Sequence, residues 1–259
     1  MRIASLGSGS RGNATLVEDE GTAILVDLGF SLKETIRRLH RIGRSPEDIS
    51  GILVTHEHAD HIHGVAAFAR KYRTPVYLTP GTFNQKRMGN LPDLREVNCQ
   101  RGFRIGSLGV EPVIVPHDAR EPCQYIISSK KRVVGVLTDL GHITPYVAAR
   151  YSACDALLLE CNHDVDMLAN GPYSWPLKQR VGGVHGHLNN GQAAGLLDQV
   201  ERGRLQHLIL CHISEKNNDP ALAVAAVRAP MTGYDARLHI ADQALGFDWI
   251  EVVSDTRSG

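Results

Sequence analysis

The chain has 259 residues, with 28 Lys and Arg against 28 Asp and Glu and a formal net charge of zero. That length allows one large domain or two small ones with an ample core; 42% hydrophobic and 22% charged residues exclude wholesale disorder, and charge balance excludes a polybasic nucleic-acid coat, though not a local basic patch. An aromatic content of 5% argues against a protein that reads nucleobases on a row of stacking platforms, and the 13 histidines, several of them close neighbours, are the outlier.

In chain order, "MRIASLG" predicts a strand, followed by the loop "SGSRGN" and two further strands, "ATLVED" and "TAILVDLG". A helix is expected at about residues 31–42, with Leu32, Ile36, Leu39 and His40 near one face. "SPEDI" reads as a helical turn with Pro46 early in it. "GILVTH" is a continuous apolar run of strand length, "GVAAFARKY" a helix and "PVYLTP" a strand. The style then repeats: strands "GVEPVIVPH", "QYIISS" and "RVVGVLTDLG", helix "TPYVAARYSAC", strand "DALLLECN", and helix "NGQAAGLLDQV", capped by Asn189 or Asn190. Strand "LQHLILCHIS", helix "DPALAVAAVRA" and the strands "LHIADQ" and "FDWIEVV" close the chain. No linker, low-complexity stretch or short-period repeat is visible. Several strands follow one another directly, which fits two mixed sheets packed face to face with helices outside better than a doubly wound parallel sheet.

Cys99, Cys123, Cys154, Cys161 and Cys211 are odd in number and contain no CxxC pair. Buried reduced thiols are therefore expected, not a disulfide framework or cysteine zinc ribbon. The N-terminus lacks a signal-peptide apolar region, and no stretch of about 18 apolar residues occurs, so a soluble cytoplasmic protein without membrane contact is expected.

Chemistry concentrates in "LVTHEHADHIHG", which places His56, His58, Asp60 and His61 directly after an apolar strand. Four ligand types within six residues supply nitrogen and oxygen donors for a borderline metal, a pattern that a solvated loop explains poorly. Asp27, His117, Asp139 and His212 each follow another apolar strand. Any one alone would read as a turn or cap; together with the histidine cluster they reinforce each other.

HxHxDH followed by a lone His, an Asp and a last His resembles the metallo-β-lactamase superfamily, over about residues 1–214. "SLGSGSRGNATLV", "LTDLG", "LLLECNHDVDML", "LKQRVGG" and "GHLNN" look like its WalJ/YycJ subfamily of exonuclease-like hydrolases, with Asn189 where Ser is expected. The resemblance implies a single αββα domain over residues 1–259 with two divalent ions, Zn²⁺ or Mn²⁺. It places one metal on His56, His58 and His117, a second on Asp60, His61 and His212, and Asp139 across both, with Asp27 orienting ligands from behind.

Two cations about 3.5–4 Å apart can share a hydroxide and clamp a phosphate in line. The implied reaction is hydrolysis of a phosphodiester as a 5′→3′ DNA exonuclease, with Asp60 also holding the nucleophile. For the leaving oxygen, His163, His185 and His187 are candidate proton donors. His187 is preferred because it precedes a helix start, where anions are favoured; His163 is the second catalytic candidate. Ser8, Ser10 and Asn13 of the glycine-rich loop and Lys178 and Arg180 are expected at substrate phosphates, giving salt-sensitive DNA binding. His40, His142, His207 and His239 are expected to be structural or solvated, and His63 near the site or on the surface. The interval from Asp139 to His212 leaves no room for a large inserted cap domain, which disfavours long structured RNA. A thioester or other small-molecule hydrolase of glyoxalase type is the competing reading, and a purely structural metal site a third. No protein partner is evident, and the oligomeric state is open.

Overall fold

The computed structural model describes residues 1–254. Its first three strands, β1 (Arg2–Gly7), β2 (Ala14–Asp19) and β3 (Thr22–Val26), pair antiparallel. Glu20 and Gly21 turn the chain between β2 and β3 with φ of 46° and 77°, the doubly positive pair that a tight hairpin needs. The connections then become crossovers. Helix α1 (Leu32–Arg41) leads to β4 (Ile49–Leu53), α2 (Ala59–Ile62) and α3 (Val65–Tyr72) to β5 (Val76–Leu78), and α4 (Gln85–Met88) to β6 (Leu94–Glu96), all parallel to β3.

The second sheet follows the same plan. β7 (Phe103–Ile105), β8 (Leu108–Ile114), β9 (Cys123–Ser129) and β10 (Arg132–Leu137) run antiparallel. α5 (Pro145–Arg150) leads to β11 (Ala156–Glu160). α6 (Val165–Asn170), α7 (Trp175–Val181) and α8 (Asn190–Gln199) then lead to β12 (His207–Cys211). α9 (Pro220–Arg228) precedes β13 (Arg237–Ile240), and β10 to β13 are parallel. β14 (Phe247–Glu251) returns to the first sheet beside β1. The orders are β14-β1-β2-β3-β4-β5-β6 and β13-β12-β11-β10-β9-β8-β7. Each sheet is an antiparallel meander continued by parallel crossovers, with one extra antiparallel strand at the meander's edge.

Alternation along each strand decides the layers. In β11, Leu158 joins Ile24, Leu53, Tyr125 and Ile209 between the sheets, while Leu157 and Leu159 face Val147, Leu196 and Val227 of the outer helices. On the first sheet, Leu16, Leu25 and Ile52 pack under Leu39 of α1 and Phe68 of α3. Three apolar layers sandwich two sheets, the αββα arrangement expected from the run of strands. Burying a leucine-sized side chain contributes about 1.5–3 kcal/mol, so these layers dominate the fold's stability.

Side chains cap several of these helices. Ser31 Oγ accepts from Glu34 N at 3.3 Å, and Thr144 Oγ1 from Val147 N at 3.1 Å, with Pro145 following. Asn189, not Asn190, caps α8: its Oδ1 accepts from Gln192 N at 2.8 Å while Gln192 reaches back to Asn189 N at 2.9 Å. The expected face of α1 needs correction. His40 is solvent-exposed, and Arg38 is buried in its place because its guanidinium donates to Leu6 O, Ala244 O and Glu34. The short elements α2, α4, α6, α7, β6 and β7 escape sequence reading, being too short to show a period. Among the described residues no helix is long and apolar enough to cross a membrane, and all five cysteines are unpaired.

Candidate metal centre

Parallel strands end at a common edge, and in this fold six of them do so with a ligand-type residue. β3 and β4 run parallel in one sheet, and β8, β10, β11 and β12 run in one direction in the other. Asp27, His56, His117, Asp139, Glu160 and His212 stand at or just beyond their carboxyl ends. The turn in the chain is tight there. Asp27, Asp139 and His212 take φ of 61°, 52° and 53°, a left-handed conformation that Asp and His tolerate better than most side chains and that, outside glycine, concentrates at functional sites.

Three loops are stitched together beneath the histidine cluster. Asn13 N donates to Asp60 O at 2.8 Å, Gly29 N to Asn13 O at 2.9 Å, and Leu28 N to His61 O at 2.8 Å. Gly29 has to be glycine: an added Cβ would stand 1.8 Å from Asp60 O. Asn13 is consumed in this stitching, its Oδ1 accepting from Gly9 N at 2.8 Å and its Nδ2 lying 3.1 Å from His61 Nε2.

His56 Nε2 lies 3.0 Å from His58 Nδ1, which in turn lies 3.2 Å from His117 Nε2. The far nitrogens of two of these rings are held from behind. His56 Nδ1 is 2.9 Å from Thr55 Oγ1, whose hydroxyl donates to Asp27 Oδ2 at 2.8 Å, and His117 Nδ1 donates to Gly186 O at 3.0 Å. This orientation leaves ring nitrogens facing one point, as metal-binding histidines require. Asp60, His61 and His212 form a second group. His61 Nε2 is 3.5 Å from Asp60 Oδ2, and His212 Nε2 is 3.8 Å from the same oxygen. Asp139 clusters with His56 of the first group and His61 of the second, 3.3 Å from His61 Nε2 and 3.1 Å from His212 Nδ1. Its Oδ2 is buried and makes no hydrogen bond among the described residues. Such an atom, beside convergent imidazoles, fits a divalent cation.

The electrostatics agree. Burial disfavours charge on His61 and His212, but the carboxylates outweigh it: Asp139, Asp27 and Asp60 hold His61 well above its usual range, and Asp139 and Glu160 push His212 up to about 10. His56 goes the other way, kept neutral by burial and by His61 beside it. Burial would raise Asp139, but His212 and His61 pull it well below the carboxylate range. Protons on His61 and His212 thus balance the buried carboxylates where cations would otherwise do so.

Glu160 lies outside the set read from the sequence, although it shows the signal that picked out Asp27 and Asp139, an acid closing an apolar strand. It is fully buried. Oε1 accepts from His187 Nδ1 at 2.8 Å and His212 Nδ1 at 3.1 Å; Oε2 accepts from Leu140 N at 3.2 Å and Leu188 N at 3.0 Å. Burial opposes its charge, yet His187 and His212 bring its pKa down to about 2. Thr55 is a second such residue, visible in sequence only as the neighbour of His56.

The cleft above has a volume of about 370 Å³ and is lined by Asp60, Asp139, His187 and His212 with Ser10, Arg87, Tyr173 and Arg180 on its walls. Of the expected phosphate contacts, Ser10 and Arg180 line it. Ser8 Oγ accepts from His212 N at 2.9 Å, Asn13 is bound as above, and Lys178 Nζ donates to Ala169 O at 2.6 Å. Of the expected proton donors, His187 lines the cleft. His163 is buried outside its lining, held by burial at a pKa of about 4, and His185 is exposed.

Residues 22–213 match the beta-lactamase superfamily domain. The chain is 37% identical over 229 residues to the exodeoxyribonuclease WalJ of Streptococcus pneumoniae serotype 2, covering 86% of this chain and 85% of that protein. It is 36% identical over 231 residues to the exodeoxyribonuclease YycJ of Bacillus anthracis, covering 88% of each. The metallo-beta-lactamase fold protein YhfI from Bacillus subtilis superposes with a TM-score of 0.74 at 15% identity, over 96% of this chain and 98% of that one.

Proposed function

The chain belongs to the metallo-β-lactamase superfamily, in its WalJ/YycJ subfamily, and from that premise we propose that the cleft is the active site of a metal-dependent nuclease acting as a 5′→3′ DNA exonuclease. The observation that carries this reading is the convergence of ligand-type side chains from both sheets on one edge, around a buried Asp139 oxygen that makes no hydrogen bond among the described residues and stands 3.3 Å from His61 Nε2.

We assign His56, His58 and His117 to one divalent cation, Asp60, His61 and His212 to a second, and Asp139 to both. Zinc and manganese each suit a histidine–carboxylate set, and a pair supplies Lewis acidity toward a phosphodiester and an acidified water. Asp27 and Thr55 fix the tautomers of His56 and His61 from behind. Asp60, at the cleft wall, orients the attacking water. His187 gives its proton to the leaving oxygen: Glu160 holds Nδ1, which leaves Nε2 for the cleft, and Glu160 and Asp139 raise its pKa against the effect of burial. His187 is preferred to His163 because only His187 lines the cleft. Ser10 and Arg180 meet the substrate's phosphates. The five unpaired cysteines support a cytoplasmic setting, and the shared interior of the two sheets supports one domain over the whole chain.

The test is a nuclease assay on purified protein with 5′-phosphorylated, end-labelled single- and double-stranded DNA and Mn²⁺ or Zn²⁺, beside His61→Ala. Metal-dependent release of mononucleotides from the 5′ end, absent in the variant, is the expected result. Failure to cleave DNA or RNA under either metal, with thioester hydrolysis that His61→Ala abolishes, overturns it.

A further inference from the structure

Helix α7 is held in an unusual way. Seven residues are too few for a helix to persist alone, yet none of its side chains is buried. Polar ties fasten it: Lys178 to Ala169 O, Arg180 to Asp118, and His187 N to Val181 O at 2.8 Å. Its half-buried Leu177 and Val181 line the cleft, so part of its apolar surface faces the space a substrate fills.

Two aromatic rings accompany it. Tyr173 lines the same cleft, with Lys216 Nζ 5.9 Å from its ring centre. Trp175 opens the helix and is 70% exposed, the most exposed of the large hydrophobic residues described. The other tryptophan shows how this fold treats a structural indole. Trp249 Nε1 donates to Ile42 O at 2.8 Å, and the guanidinium of Arg2 lies 4.1 Å from its ring centre. The Trp175 indole has no comparable hydrogen bond or cation partner among the described residues. Cations stand nearby. Arg180 is engaged only through Nε, leaving its terminal nitrogens without a protein partner among the described residues, and Arg87 lines the cleft from α4.

We infer that Tyr173 and Trp175 form a short stacking platform for the unpaired bases at the end of a nucleic-acid strand, with Arg87, Arg180 and Lys216 at the adjoining phosphates; this rests on the nuclease reading above. A cleft of about 370 Å³ sits at the small end of ligand sites, room for one terminal nucleotide and not for a duplex. The next base therefore rests at the rim. Exposed rings are sequence-tolerant partners because every base has a π face. The low aromatic content rules out an extended track, but two rings suffice for one or two bases.

The experiment compares single-stranded, 5′-phosphorylated oligonucleotides that carry either ordinary bases or abasic residues at the first two positions. Wild type, Trp175→Ala, Tyr173→Ala and Trp175→Phe are assayed in Mn²⁺ for KM and kcat. Wild type should prefer the base-bearing end on the order of tenfold in kcat/KM, the size of one base–aromatic stack. Either alanine variant should bring that ratio toward one, mainly through KM, and Trp175→Phe should keep it. Alanine variants that retain the wild-type ratio overturn the platform, including when both substrates slow equally, since a general defect leaves the ratio intact. A wild type that degrades no oligonucleotide overturns the nuclease reading and the platform with it.

Discussion

Glu160→Gln isolates the buried charge under the metal centre. Glutamine keeps the volume and one carbonyl oxygen. The amides of Leu140 and Leu188, at 3.2 and 3.0 Å, are fixed donors and claim that oxygen. The new NH₂ then faces His187 Nδ1 and His212 Nδ1, where the carboxylate accepted at 2.8 and 3.1 Å. An amide nitrogen only donates, so His187 Nδ1 must turn acceptor and its ring proton must move to Nε2, while His212 Nδ1 loses one of its two carboxylate acceptors and keeps Asp139 Oδ1 at 3.1 Å. His212 Nε2 is directed at Asp60, where a metal would bind, and in the variant the orientation of that ring rests on Asp139 alone. Each charged hydrogen bond lost is worth about 1.5–3 kcal/mol, and orienting partners of metal ligands typically contribute about 10–100-fold. We expect metal affinity to fall about 10–100-fold, with nuclease activity falling alongside it. Glu160 is also one of the groups holding the His187 pKa up, so the alkaline limb of the rate profile should move to lower pH. Chelator competition for Zn²⁺ or Mn²⁺ and a pH–rate series on 5′-phosphorylated DNA read both effects. Affinity within twofold of wild type, with an unmoved alkaline limb, would refute the reasoning.

Gly29→Ala should dislodge Asp60, because its Cβ would sit 1.8 Å from Asp60 O; metal stoichiometry at saturation should drop below wild type, and full loading with an unchanged Tm would contradict this. Thr55→Val removes the hydroxyl between Asp27 and His56 and leaves their buried groups unpaired, so a loss of about 1–3 kcal/mol is expected in denaturant unfolding. In metal-free protein His212 is raised from 6.5 to about 10, so its contribution to stability is complete below about 6.5 and vanishes as pH rises through 10. The metal-free Tm should therefore fall across that interval, and a Tm that rises would count against the assignment. Metal uptake must displace the protons on His61 and His212, so calorimetry in buffers of different ionisation enthalpy should show net proton release. Leu158→Ala, a change between the sheets at a 1% exposed site, should cost about 2–5 kcal/mol without altering metal stoichiometry.

The sequence by itself determined the longer strands but not the three-residue β6 and β7, because runs such as "ALLLE" and "LILC" are apolar stretches whose length depends only on neighbours along the chain. It also determined the ligand types, since His56, His58, Asp60 and His61 stand within one turn and Asp27, His117, Asp139 and His212 each close an apolar run. Local chemistry was enough to narrow the cap of α8 to Asn189 or Asn190. It was not enough for Arg38, whose burial depends on carbonyls of Leu6 and Ala244 far away in the chain. Glu160 carried the same end-of-strand signal as Asp139, but what sets it apart is the company of His187 and His212, 27 and 52 residues on. Ser8 and Asn13 read as free phosphate donors because a loop's hydrogen bonds are invisible in sequence; folding commits them to His212 and Gly9. Which side chains meet, which atoms stay unpaired and which helix lines the cleft were decided only in three dimensions. The reason is physical: strand formation is set by contacts close in sequence and by burial pattern, whereas a metal centre is made by the edge where six parallel-running strands happen to end together.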